Sequence, residues 1–334
     1  MRVFGMIWVC LLAVGVGCSD SAKPQPDVKV DVSVVPDKGP QKESGAKEMK
    51  VDVPPTPTSL KVAAIQFTND DYTKVAGCAS TPGTCAIEKL IKDAAAQQAT
   101  FVVTPDYATY AGVPTPATKA EAEPAVGDSP ATDSKWAAGS VLKTLASLAA
   151  SQKIWIVFFV ATKSGDEPPV THHTTVAVDP GGVVRGLHHK LQLFGPEATN
   201  YTPGSSLATS FFQSPAGKMG LLASADAQCI VLDGVANGTE CTTAAAQLIT
   251  SYKAVKPDAV SFVALWFGGA DPKWQAPNVM AKIASWIGAW VVVGNGTVTP
   301  NGNAGGIWKP DGTPLKVEQP TAPTIIIAEI PLKP

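Results

Sequence analysis

An excess of charge of either sign is missing from this chain: 26 basic residues stand against 28 acidic ones over 334 residues, a net charge of −2. Without surplus cation to neutralise phosphates, no nucleic-acid or other polyanion partner is implied. Also missing is an N-terminal apolar run long enough to cross a bilayer, which takes about 20 residues. The run behind Arg2, from Val3 to Val16, is shorter and ends in Gly17-Cys18. This is the pattern of a secretory signal peptide over residues 1–17, removed rather than folded. Cysteine is scarce, with six in all, which limits how much thiol chemistry the folded part can carry.

The small residue before Cys18 resembles a bacterial lipobox, although Gly15 stands where Leu or Val is usual. Cys18 is therefore expected to become a lipidated N-terminus, placing the protein in the bacterial cell envelope, anchored to a membrane and facing an extracytoplasmic compartment; plain secretion is the alternative. Residues 18–58 read as a disordered linker, because lysines, aspartates and seven prolines alternate with isolated valines without helical or strand period. About 40 such residues give an r.m.s. reach of roughly 35 Å. An exported chain meets an oxidising compartment, so the four remaining cysteines outside the signal and lipid positions are expected to pair locally, Cys78 with Cys85 and Cys229 with Cys241. No free thiol then remains in the mature domain, residues 59–334.

At 45% hydrophobic content that domain can bury a large core. LKVAAIQF (60–67) reads as a first strand, AIEKLIKDAAAQQA as a helix, and Thr100–Thr104 as a buried strand stopped by Pro105. Residues 111–133 are Pro-, Ala- and Thr-rich and read as a long loop, a flap or a disordered insertion. A helix over Ser134–Ser151 opened by a capping serine, a strand IWIVFFVA and a hairpin TTVAVD-PGG-VVRGL follow. After GKMGLLASAD (217–226) come a helix from Glu240 to Ala254, strand DAVSFVALW, a helix from Lys273 to Gly288, and strands WVVVGN, GGIW and TIIIAEI, the last two joined by a KPDG turn. Alternation of strands and helices, interrupted later by strand pairs, suits two sheets packed together with helices outside.

Three strand-end segments each deliver one polar residue: Asp106 in FVVTPDY, Lys190 in HHKLQLFGPEATNYTPG, and Ser224 in GKMGLLASAD. Their order and wording resemble the carbon–nitrogen hydrolase (nitrilase) superfamily, and the likeness runs from Leu60 to the closing GGIW, PDG and AEI. The loops with cysteines after Ser224 are most similar to the biotinidase and pantetheinase branch. The resemblance implies an α/β fold, a four-layer α-β-β-α sandwich, with no cofactor, and a small amide or nitrile-like molecule as partner. It also implies catalytic roles for Asp106 as base, Lys190 as oxyanion stabiliser and Ser224 as nucleophile. Glu197 and Trp266 would line the substrate pocket, and Asp226 would act as a hydrogen-bonding support.

Two of the three positions depart from the family pattern, which has glutamate at Asp106 and cysteine at Ser224. A thiol ionises near neutrality with help, whereas a serine hydroxyl needs a strong, well-aligned base. Aspartate is also one methylene shorter than glutamate, and a displacement of about 1 Å can cost roughly a hundredfold in rate. The residues leave open an active hydrolase, with Lys190 as an alternative base for Ser224, an inactive pseudoenzyme that binds a ligand or an envelope protein, and a structural surface lipoprotein whose pocket is vestigial, with Asp106 and Lys190 a buried ion pair kept for shape. His172-His173 and His188-His189 are adjacent on strands, so each pair points to opposite faces and cannot share one ion; no metal is expected. No stretch dictates an oligomeric state.

Overall fold

The computed structural model describes residues 58–113, 115–231, 243–265, 275–296 and 304–331. The expected signal peptide, Cys18, most of the linker, Cys241 and Trp266 lie outside the described residues.

Two sheets carry the fold. The first holds β1 (Ser59–Gln66), β2 (Phe101–Val103), β4 (Trp155–Lys163), β5 (Thr171–Val178), β6 (Val184–His189) and β13 (Thr324–Pro331), in the order β13-β1-β2-β4-β5-β6, with the two-residue β3 (Glu121–Ala122) paired to β4. The second holds β7 (Phe211–Ser214), β8 (Gly217–Ala223), β9 (Ala259–Val263), β10 (Trp290–Gly294), β11 (Gly305–Trp308) and β12 (Pro314–Glu318), in the order β12-β11-β10-β9-β8-β7. Central strands such as IWIVFFVA are buried on both faces, as their unbroken apolar runs require.

The burial pattern sorts the layers. One apolar cluster joins helices α1 (Cys85–Ala96) and α2 (Val141–Gln152) to the first sheet and continues into Met219, Leu221, Val263 and Val292 of the second. Alternate residues of those same second-sheet strands, Leu222, Phe262, Val291 and Val293, face a separate cluster with α5 (Thr243–Val255) and α6 (Ala276–Ile287). The layers therefore run helix, sheet, sheet, helix, the sandwich expected from the sequence.

Several local expectations are corrected. The second helix begins at Val141, with Ser140 rather than Ser134 as its cap, its hydroxyl accepting from the Lys143 N–H. Gly139, at φ +85°, breaks the chain just before it. The KPDG turn joins GGIW not to TIIIAEI but to β12, PLKVE, a five-residue edge strand that starts on a proline and is largely exposed. TIIIAEI instead crosses to the first sheet and pairs antiparallel with β1. The short helices α3 (Glu197–Asn200) and α4 (Asp226–Val231) were not expected either. Residues 121–133 are tethered, since Glu121 caps α2 through the Val141 and Leu142 N–H groups and the Trp136 indole donates to Ala122 O.

The strand ends of the two sheets are stitched together, and this positions the polar residues. Asn295 at the end of β10 pairs with β1, donating to Ile65 O while its carbonyl accepts from Phe67 N–H. Gly294 is required at this seam: a Cβ there would lie 2.4 Å from the Thr104 carbonyl atoms. Two residues on, Asp106 N–H donates to Ala264 O, just past the end of β9, while Ser224 N–H donates to the neighbouring Val263 O. Asp106 of one sheet and Ser224 of the other thus flank a single strand end.

Candidate active site

The chemistry-bearing residues sit where β2, β5, β6 and β8 end. Asp106, Lys190 and His173 are essentially buried, at 1%, 1% and 0% exposure, and Ser224 keeps 8%. Lys190 Nζ donates to Glu197 Oε1 at 2.7 Å and lies 3.8 Å from Asp106 Oδ2. Asp106 Oδ1 is held twice, by the Tyr107 N–H at 2.9 Å and by His173 Nε2 at 2.8 Å. Its Oδ2 makes no hydrogen bond among the described residues although it is buried. One carboxylate oxygen is locked and the other stays open beside the ammonium.

Glu197 is the hub of the second half. Beyond Lys190, it accepts from the Tyr107 hydroxyl at 2.9 Å and from the Phe194 N–H at 2.9 Å. Burial, followed by the Asp106 and Glu197 carboxylates nearby, raises the Tyr107 phenol far above its usual range, so it stays a donor. Tyr201 is raised for the same first reason, burial, and then by the same two carboxylates. His173 packs 4.0 Å from Phe159 between ring centroids, with Tyr107 and Tyr201 edge-on.

Asp226 aligns the lysine segment. Its Oδ1 accepts from the Leu191 and Gln192 N–H groups at 2.9 and 2.8 Å, and its Oδ2 meets His188 Nε2 at 2.6 Å. The His188 ring is fixed at its other nitrogen by Ser210 Oγ, 2.9 Å away. A fully buried carboxylate two residues past Ser224 therefore anchors the backbone just past Lys190.

Ser224 stands apart from this network. It occupies the β8-to-α4 turn with φ +25°, a left-handed conformation that a residue with a Cβ rarely adopts. Strain of this kind costs roughly 1–3 kcal/mol and gathers at functional sites. Among the described residues its hydroxyl has one hydrogen bond, to Leu265 O at 3.5 Å, the outer limit for such a bond. No carboxylate, imidazole or amine accepts its proton.

The structure thus gathers Asp106, Lys190 and Glu197 into one cluster, sets Ser224 at the adjoining strand end, and leaves Trp266 outside the described residues. Sequence reasoning did not single out His173 or Tyr107. The signal for Tyr107 was its place beside Asp106; that for His173 was the hairpin register. Cys78 and Cys85 are disulfide-bonded, as expected. Cys229 is a disulfide cysteine as well and is buried, so it offers no displaced nucleophile; its expected partner Cys241 lies outside the described residues.

The sequence model of the carbon-nitrogen hydrolase family matches residues 61–333. The chain belongs to that family. Among solved structures it is similar to an amidase from Nesterenkonia sp., with 17% identity, TM-score 0.60, and coverage of 82% of this chain and 92% of that one. It is equally similar to Nit3 of Saccharomyces cerevisiae, a member of branch 10 of the nitrilase superfamily, at 15% identity, TM-score 0.60, and coverage of 82% and 90%. A variant of the Nesterenkonia amidase carries the acetamide moiety of fluoroacetamide covalently at its active site cysteine; it shares 18% identity, TM-score 0.58, and coverage of 84% and 92%. At these identities the likeness shows the fold. No curated protein sequence matches the chain.

Proposed function

We propose that this domain recognises a small carboxamide or nitrile-derived molecule at the Asp106–Lys190–Ser224 strand ends and binds it without efficient covalent turnover. One observation carries the reading: among the described residues the Ser224 hydroxyl donates only to a backbone carbonyl, at 3.5 Å. A serine becomes nucleophilic when an aligned base takes its proton. Asp106 presents Oδ1 to His173 and Tyr107, its Oδ2 makes no hydrogen bond with Ser224, and Lys190 donates to Glu197, so neither is aligned on the serine as that base. The ligand-binding half of the site is nonetheless supplied. A carboxamide carries a carbonyl acceptor beside an N–H donor, and the site offers a lysine with N–H donors beyond the one used by Glu197, next to the open Asp106 Oδ2.

A second reading, slow hydrolysis through Ser224, draws on the strained φ of that residue. A panel of small primary amides and nitriles, acrylamide and acetamide among them, separates the two. Wild-type protein is expected to bind in calorimetry yet release no ammonia above background, with Ser224→Ala indistinguishable from it. Turnover that vanishes in Ser224→Ala would establish the second reading and overturn the first.

We also infer that the domain is exported and tethered through a lipidated Cys18, supported by the apolar run ending in Gly17-Cys18 and the proline-rich segment behind it. Mass spectrometry of the mature N-terminal peptide tests this: a diacylglyceryl adduct on Cys18, lost in Cys18→Ala, is expected. An unmodified N-terminus elsewhere would refute it.

A further inference from the structure

The two histidine pairs that cannot bind an ion as sequence neighbours meet across strands instead. In the β5–β6 hairpin Thr174 lies opposite His189, so His172, two residues from Thr174, shares the His189 face as its diagonal neighbour. The two imidazoles stack with centroids 4.1 Å apart and planes 5° from parallel. Glu123, held by its N–H to Lys163 O beside β4, brings Oε1 to 3.3 Å from His189 Nε2. One ligand atom from each of the three residues lies within 4.8 Å of the other two.

We propose that Glu123, His172 and His189 form a binding site for a divalent transition metal of the zinc class. Two imidazoles and a carboxylate are a donor set for such ions, with a water completing the sphere. The supporting contacts are those that metal-ligating groups require. His172 Nδ1 is 2.9 Å from Thr202 O, and a carbonyl can only accept, so this nitrogen carries the proton and Nε2 is left with the lone pair. Thr162 Oγ1 donates to Glu123 Oε2 at 3.5 Å, leaving Oε1 for the ion. His189 Nε2 is shielded from solvent and makes no hydrogen bond, its 3.3 Å contact with Glu123 being off-angle. Side-chain exposures of 24% for His189 and 26% for Glu123 leave an open side for the ion and its water.

The adjustment needed is small. Ligand atoms around tetrahedral zinc, at Zn–N distances of about 2.0–2.1 Å, lie roughly 3.3 Å apart. The cluster must therefore contract by no more than about 1.5 Å, and the parallel rings must fan apart by rotation about χ2 so that their lone pairs converge. The ion would tie the 121–123 segment to both strands that carry His173 and Lys190.

Titration of the full mature chain with Zn2+, followed by calorimetry and by the visible spectrum of a Co2+ substitute, tests the site. One ion per chain is expected, with affinity falling at least about tenfold in His172→Asn, His189→Asn and Glu123→Gln. Glu123→Gln keeps its shape and serves if a histidine variant fails to fold. The other two histidines, His173 and His188, are buried against Asp106 and Asp226. No Zn2+ binding, or binding unchanged in all three variants, would overturn the proposal. So would binding lost only in His173→Asn, since that residue belongs to the other cluster with ligand atoms within 4.8 Å, Asp106 and Glu197.

Discussion

The two faces of one hairpin make the instructive contrast in this molecule. Towards the second sheet, β5 and β6 present His173, His188 and Lys190, all buried and each matched by a carboxylate. On the other face, one residue away along each strand, His172 and His189 stand half-exposed beside Glu123. The residue types are nearly the same, yet burial changes what they do. Charges inside must be paired and hydrogen-bonded to exist there at all, which fixes their geometry. Groups at the rim keep spare lone pairs and room to move, which suits an ion that arrives from solvent.

Substitutions on each face should break the contrast unequally. The largest loss is expected for Lys190→Met, which leaves the Glu197 and Asp106 carboxylates without their ammonium. Denaturant unfolding should show about 3–5 kcal/mol lost, the cost of breaking a buried pair from one side. His173→Leu removes one of two partners of Asp106 Oδ1 and should cost roughly 1–3 kcal/mol. A loss below about 0.5 kcal/mol in either would mean that the inner charges are not in fact confined.

The outer face should respond mainly to pH. Burial, then the neighbouring His189, holds the His172 imidazole below its usual range, while the hydrogen bond to the Thr202 carbonyl and then the Glu123 and Asp166 carboxylates act the other way. The Glu123 carboxyl is also lowered, chiefly by His189. A histidine with a depressed folded pKa takes up fewer protons folded than unfolded, so acidification through its ordinary value near 6.5 removes stability. In chelator-treated protein the melting temperature should fall between about pH 7.5 and 5.5, and fall less in His172→Asn. Equal slopes in both proteins would show that His172 does not titrate as its surroundings dictate.

How much of this was legible in the sequence turns on single residues. The two-sheet sandwich could be read because the central strands are apolar on both faces and the β5–β6 turn is marked by Gly181-Gly182. Asp106, Lys190 and Ser224 could be picked out because each ends a strand. The partner of Asp106 could not. Counting back from the turn, where Val178 faces Val184, places His189 opposite His173, but a bulge at Ala177/Val178 advances the register by one. Lys190 N–H therefore bonds His173 O, and every side chain beyond the bulge changes its cross-strand neighbour. That extra residue brings His173 in beside Lys190 and sets His172 diagonal to His189. Strand β12 escaped notice for a different reason: its alternation, Leu315 and Val317 between Lys316 and Glu318, spans only four residues behind a proline and buries almost nothing at the sheet edge.

On the proposed reading, the Asp106–Lys190–Glu197 frame stands beside Ser224 while the means to activate a nucleophile there is missing among the described residues. Ammonia release from acrylamide by wild type, Ser224→Cys, Asp106→Glu and the Asp106→Glu/Ser224→Cys double variant measures it directly. Background rates are expected for wild type and Asp106→Glu, and turnover at least about a hundredfold above background for the double variant, the scale of a restored acid–base group. Saturable release by wild type, abolished by Ser224→Ala, would contradict that reading.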